Sequence, residues 1–117
     1  MISLNHKKLD VWRASITLTA IIYDLTKLFP KHELYGLTSQ LRRASVSIPS
    51  NIAEGAARKS AKERRRFYEI ARSSLVEPDT QLEIAQKLNY LSDKELSKVE
   101  NKLEHIFAML SNLIKST

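Results

Sequence analysis

Only two glycines and three prolines stand among 117 residues to interrupt regular structure, while apolar residues recur along the chain at steps of three and four. That spacing returns a side chain to the same face of an α-helix after each turn. No segment shows the strict alternation of a half-buried strand. The chain is therefore expected to be all-α, and its length is that of a single domain, residues 1–117, with one modest core.

Apolar spacing predicts four helical segments, separated at "FPKHE", "EGAARKS" and "NYLSD". The fourth is the plainest: Leu96, Val99, Leu103, Ile106, Leu110 and Leu113 form a coiled-coil-like seam, and Ser92 with Glu95 gives it a capping box. The third is expected to bury Phe67, Ile70, Ala71, Ser74, Leu82, Ala85 and Leu88, with a kink near residues 74–78 where Pro78 removes a backbone hydrogen bond.

The first segment, Leu9 to Phe29, carries two apolar stripes: Leu9, Trp12, Ile16, Ala20 and Tyr23, and beside it Val11, Leu18, Ile22, Leu25 and Phe29. An arc this wide wants burial on two sides, and in a four-helix bundle the second side is another subunit. Val11, Leu18 and Ile22 are the residues expected at that subunit interface.

In the second segment Leu37, Leu41, Ala44, Ile48 and Ile52 make the core stripe, leaving Val46, Pro49 and Ala53 on another flank, a strip of small residues expected to join the interface. Pro49 forfeits its bond to the Ser45 carbonyl, a loss that Ser45, Ser47 or Ser50 hydroxyls, or a water, would cover. A kinked continuous helix is the expectation; the alternative is a helix that stops before Pro49 and restarts with Ser47 as its cap.

The formal net charge is +6, and all of the excess lies between Arg42 and Arg72, where nine basic residues face three acidic ones. These nine, Arg42, Arg43, Arg58, Lys59, Lys62, Arg64, Arg65, Arg66 and Arg72, are the candidate contacts for an anionic partner, RNA or DNA. Arg58, Lys62, Arg65 and Arg72 would form a linear cationic stripe if the third helix reached back to residue 58, with Arg65 and Arg72 the outward phosphate contacts; Arg42 and Arg43 would pair in part with Glu54 or with other carboxylates across a subunit boundary.

Signs of chemistry are sparse. There is no cysteine, and the histidines His6, His32 and His105 have no metal-ligand spacing, so neither a metal site nor a cofactor is expected. The isolated glycines build no phosphate-cradling loop, and no small-molecule substrate is indicated. Glu54, Asp79 and Glu83 are the carboxylates available as an acid and base pair, but carboxylates at helix ends and interfaces more commonly pair with arginines. No enzyme is read here. The longest apolar-leaning run, Ala14 to Tyr23, is too short to span a bilayer, and the expected location is cytoplasmic.

Three stretches, "LDVW" (Leu9 to Trp12), "FPKHELYGLTSQLRRASVSIPSNIAEG" (Phe29 to Gly55) and "TQLEIAQKLNYL" (Thr80 to Leu91), resemble the four-helix bundle proteins named after the 23S rRNA intervening sequence. The resemblance implies an antiparallel up-and-down four-helix bundle assembled as a ring-like homopentamer. Some of these proteins are encoded inside insertions in 23S rRNA genes, and a similar bundle is an accessory subunit of retroelement reverse transcriptases. The resemblance brings no catalytic activity, so two roles stand: an oligomer that binds nucleic-acid backbone, or a scaffold or accessory subunit for a nucleic-acid enzyme. One departure is visible, "SLVEPDTQL" in place of "SLSELETQL", which puts Val76 and Pro78 into the third helix.

Overall fold

A computed structural model describes residues 4–117, and those residues contain helices and turns but no strand. Five α-helices follow a short 3-10 turn: α1 (Asp10–Thr26), α2 (Leu37–Ala56), α3 (Ala61–Ser73), α4 (Val76–Lys87) and α5 (Asp93–Ser116). They make four rods, because α3 and α4 are the two halves of the third predicted segment. α2 packs against α1, α3 and α4, and α5 closes the other side of the bundle on the same three helices.

The breaks have local causes. Glu33 accepts the Leu37 N–H at 3.1 Å and so caps the start of α2, while its other oxygen accepts the Tyr90 hydroxyl at 2.9 Å. The Leu37 N–H, the Tyr90 hydroxyl and nearby His32 together hold the Glu33 carboxyl below the usual carboxylate range. At the far end of α4, Asn89 takes a left-handed backbone with φ 63°. Its N–H bonds the Gln86 carbonyl and the next N–H, of Tyr90, bonds that of Ala85, a Schellman ending that satisfies the last carbonyls of the helix. Three residues later the predicted capping box starts α5: Ser92 Oγ accepts the Glu95 N–H and Glu95 accepts the Ser92 N–H.

The two internal prolines end differently. Pro78 coincides with a break, since α3 stops at Ser73 and α4 restarts at Val76. Pro78 then lies in the first turn of α4, where a missing N–H costs little, and its ring is buried. Pro49 lies inside an unbroken α2, as the continuous-helix expectation requires. The Ser45 carbonyl that it frees is covered from another helix: Thr19 of α1 shares its hydroxyl between the Ser15 carbonyl at 3.0 Å and the Ser45 carbonyl at 3.1 Å. The nearby serines bond elsewhere, Ser45 to Arg42, Ser47 to Ala44 and Ser50 to Val46.

The core corrects two assignments. Val11, Leu18 and Ile22, expected at a subunit interface, are 4, 0 and 0% exposed and lie inside the protomer. The opposite stripe of α1 faces outward, with Ile16 at 44% and Tyr23 at 38% exposure. In the third rod the buried hydrophobic core is Tyr68, Ala71, Leu75, Leu82 and Ala85; of the other predicted core positions, Phe67 and Ser74 are half-buried and Ile70 and Leu88 turn toward solvent. The seam of α5 and the core stripe of α2 fall as expected.

Tyr68 is inward because Gly55 lets it be. A Cβ at Gly55 would stand 2.8 and 2.9 Å from the Tyr68 ring and 3.0 Å from Phe67 Cβ. Gly55→Ala is therefore expected to lower stability: overpacking against a buried ring costs about 1–3 kcal/mol, more than the helix propensity gained by alanine, about 1 kcal/mol at most. Urea unfolding of the two proteins measures the difference, and greater stability in the Gly55→Ala protein would show that the α2–α3 packing is loose.

Candidate nucleic-acid interface

The nine predicted cations differ in what engages them. α3 begins at Ala61 with Ser60 as its N-cap, so Arg58 and Lys59 stand in the α2–α3 turn and the stripe imagined through residue 58 is interrupted. Arg58 pairs with Glu54 at 2.9 Å and lies over the Phe67 ring, 4.8 Å from its centre. Arg64 donates to the carbonyls of Arg58 and Lys59, at 3.2 and 2.7 Å, and so pins the turn.

Arg65 and Arg72, the expected outward phosphate contacts, hold α3 against α5. Arg65 donates to the Thr117 carbonyl at 2.9 Å, and Arg72 donates to Ser111 Oγ at 3.1 Å with its guanidinium 5.5 Å from the centre of the Phe107 ring. Hydrogen bonds of this kind contribute about 1 kcal/mol each, and both side chains are only partly accessible. Arg66 is more exposed and lies 3.7 Å from Glu63, a surface pair that contributes little.

Arg42 is half-buried, its Nε donating to Thr26 Oγ1 at 2.9 Å and its guanidinium 4.7 Å from the centre of the Tyr23 ring. It does not meet Glu54, which is taken by Arg58. Arg43, Lys59 and Lys62 are exposed, and their side chains have neither a hydrogen bond nor an ion pair among the described residues. These three are the cations with charge to spare for a partner.

The outer faces of α1 and α2 meet in a groove of about 570 Å³ lined by Trp12, Ile16, Ala20, Val46, Pro49 and Ala53. The small-residue strip of α2 thus lies beside the outward stripe of α1, although Pro49 itself is buried. Spacing alone shows two apolar stripes on α1 and does not say which one faces the core. Beyond Tyr23 and Val46, which line both, the groove opens into a second cleft bearing Tyr35, Arg42 and Arg43.

The carboxylates nominated as an acid and base pair are separated by their partners. Glu54 belongs to Arg58, whereas Asp79 and Glu83 lie near Glu100 and Glu104 at the α4–α5 face. There, burial and then the charges of Asp79, Glu83 and Glu104 push the Glu100 carboxyl above its ordinary value. No three of His, Asp and Glu among the described residues gather as metal ligands would. No described helix is long and apolar enough to cross a membrane.

A family model described as 23S rRNA-intervening sequence protein matches residues 7–112. Among solved structures, the chain is similar to the crystal structure of a protein of unknown function from the S23 ribosomal protein family of Bacteroides thetaiotaomicron, with a TM-score of 0.80 and 21% identity over 90% of this chain and 98% of that one. At that identity the likeness is one of fold. No curated protein matches the chain.

The acidic α4–α5 face has a measurable signature. With its pKa raised by folding, the ionised Glu100 carboxylate is less favourable in the folded than in the unfolded chain, so it lowers stability above the folded pKa and has no such effect below the ordinary value, where both states are protonated. Glu100→Gln is expected to raise the melting temperature at pH 7 and to leave it nearly unchanged at pH 3. A lower melting temperature at pH 7 would place Glu100 in a favourable interaction instead.

Proposed function

Since the chain belongs to the 23S rRNA-intervening sequence protein family, we propose that it is a non-enzymatic helical bundle of antiparallel up-and-down topology, which assembles with copies of itself and binds the backbone of RNA or DNA. The observation that carries this reading is the set of exposed cations without a carboxylate partner, Arg43, Lys59 and Lys62, within a segment that holds all of the chain's excess positive charge. Point charges on long side chains suit phosphates, which ask for charge and reach and present no base edge. Arg66 and Arg58 add to the field around the α2–α3 turn, while Arg64, Arg65 and Arg72 serve the fold and lend the surface only part of their charge.

Self-association supplies what one weak patch lacks. The α1–α2 groove exposes Ile16 and Val46 at 44 and 42%, and its small residues, Ala20 and Ala53, allow another helix to come close. The family resemblance implies five copies in a ring. Repeating the cationic turn around a ring raises avidity for a long polyanion without any further contact per subunit.

Two measurements test these claims separately. Replacing Lys59 and Lys62 by glutamine is expected to weaken binding to random-sequence RNA and to flatten the dependence of log K on log salt by about 0.7–0.9 per lost phosphate contact. An unchanged slope removes both lysines from the interface. For assembly, Ala20→Glu with Ala53→Glu is expected to reduce the solution mass to that of one 13.4 kDa chain in light scattering, and an unaltered mass would mean that copies meet elsewhere.

A further inference from the structure

Tyr35 is 93% exposed, although it stands in an ordered turn between two helical elements. The turn is fixed on both sides: the Gly36 N–H bonds the Glu33 carbonyl at 2.9 Å, and the Glu33 side chain caps the next helix at Leu37. The backbone that carries this large exposed ring is thus fixed, so little main-chain ordering is left to be done when something docks on it. The ring borders a cleft of about 700 Å³ whose lining includes Tyr23, Tyr35, Arg42, Arg43, Ser39 and Ser47. No carboxylate lines it.

We propose that this cleft binds unpaired nucleotides of single-stranded nucleic acid, with a base stacked on Tyr35 and the adjoining phosphate held by Arg43. The idea rests on the backbone-binding reading above and goes beyond it, because a backbone contact is indifferent to whether bases are paired, whereas a stacking ring needs a base that has left its duplex. The side chains divide the work by chemistry. Tyr35 presents an aromatic face, and every base has one, so the site is tolerant of sequence. Arg43 has an unpartnered charge, and Arg42 is already laid over Tyr23 at 4.7 Å with Nε bonded to Thr26, which leaves a cation fixed beside the cleft at no cost at the moment of binding. Hydroxyls of Thr38, Ser39 and Ser47 also line the cleft, that of Ser47 engaged with the Ala44 carbonyl. An acidic protein segment would satisfy the arginines but would have no use for a ring held in water, and an apolar one would leave both guanidiniums to be desolvated.

The test compares four probes of matched charge on the full-length protein: single-stranded oligoadenylate, a duplex of the same length, inorganic polyphosphate and polyglutamate. Wild type and Tyr35→Phe are expected to bind the single strand more tightly than the duplex, and Tyr35→Ala to lose roughly tenfold or more in single-strand affinity with polyphosphate binding unchanged. A 2-aminopurine base in the oligonucleotide should be quenched by wild type and Tyr35→Phe and not by Tyr35→Ala. If duplex and polyphosphate bind but Tyr35→Ala behaves as wild type toward the single strand, stacking is refuted and backbone binding survives. If no nucleic acid or polyphosphate binds, the backbone reading fails and the stacking site falls with it. Polyglutamate binding that depends on Tyr35 as strongly as oligoadenylate binding would overturn the assignment in favour of an acidic protein.

Discussion

The close approach of the α2 backbone to its neighbours is what the other helices are arranged around. On one side the Ser45 carbonyl, released by Pro49, meets the Thr19 hydroxyl of α1 at 3.1 Å. On the other, the bare Cα of Gly55 lies against the buried Tyr68 ring of α3. Both contacts depend on the residue in place: an N–H at position 49 would compete with Thr19 for the Ser45 carbonyl, and a methyl group at position 55 would meet the ring. α2 therefore trades two local costs, a lost helical hydrogen bond and a flexible glycine, for tight packing on both flanks.

How well the sequence predicts each element depends on how many answers its pattern allows. α5 has one apolar seam that runs its whole length at steps of three and four, so its inward face is unambiguous, as are its cap and the core stripe of α2. α1 has two apolar stripes, and periodicity gives the angle between them without saying which points inward; the choice is made by α2 and α5, which no window of α1 contains. In α3 the neighbours Phe67 and Tyr68, and Ile70 and Ala71, are one residue apart and nearly equal as candidates. Tyr68 is selected by the vacancy at Gly55, a signal that exists in the sequence only when the two positions are read together. Arg65 and Arg72 escape a sequence reading for a similar reason, since their partners Thr117 and Ser111 lie 52 and 39 residues away.

Charge is distributed unevenly for a related cause. Helix-to-helix fastening consumes the arginines whose stems can lie along apolar surface, Arg42 over Tyr23 and Arg72 beside Phe107. Lys59, Lys62 and, at the outer edge of α2, Arg43 are left to solvent. The carboxylates concentrate elsewhere, at the α4–α5 face, where they are crowded enough to raise the Glu100 pKa. A polyanion approaching the bundle therefore meets attraction at the α2–α3 turn and along outer α2, and repulsion where Asp79, Glu83, Glu100 and Glu104 crowd together between α4 and α5. Such a field orients the molecule before any contact forms, which makes the encounter sensitive to ionic strength.

Tyr23 connects assembly to that oriented face. Its ring lines the apolar groove that a second copy would cover and also the cleft that holds Arg42 and Arg43, and Arg42 is stacked on it. Packing a neighbour against Tyr23 would restrict the ring and, through it, the guanidinium, so that ordering done during assembly need not be repeated when an anion arrives. The reverse would follow by linkage: an anion that immobilised Arg42 against Tyr23 would lower the cost of bringing a further copy to the groove. The two proposed surfaces, sharing one side chain, would in this way be coupled in free energy without any change in the path of the backbone.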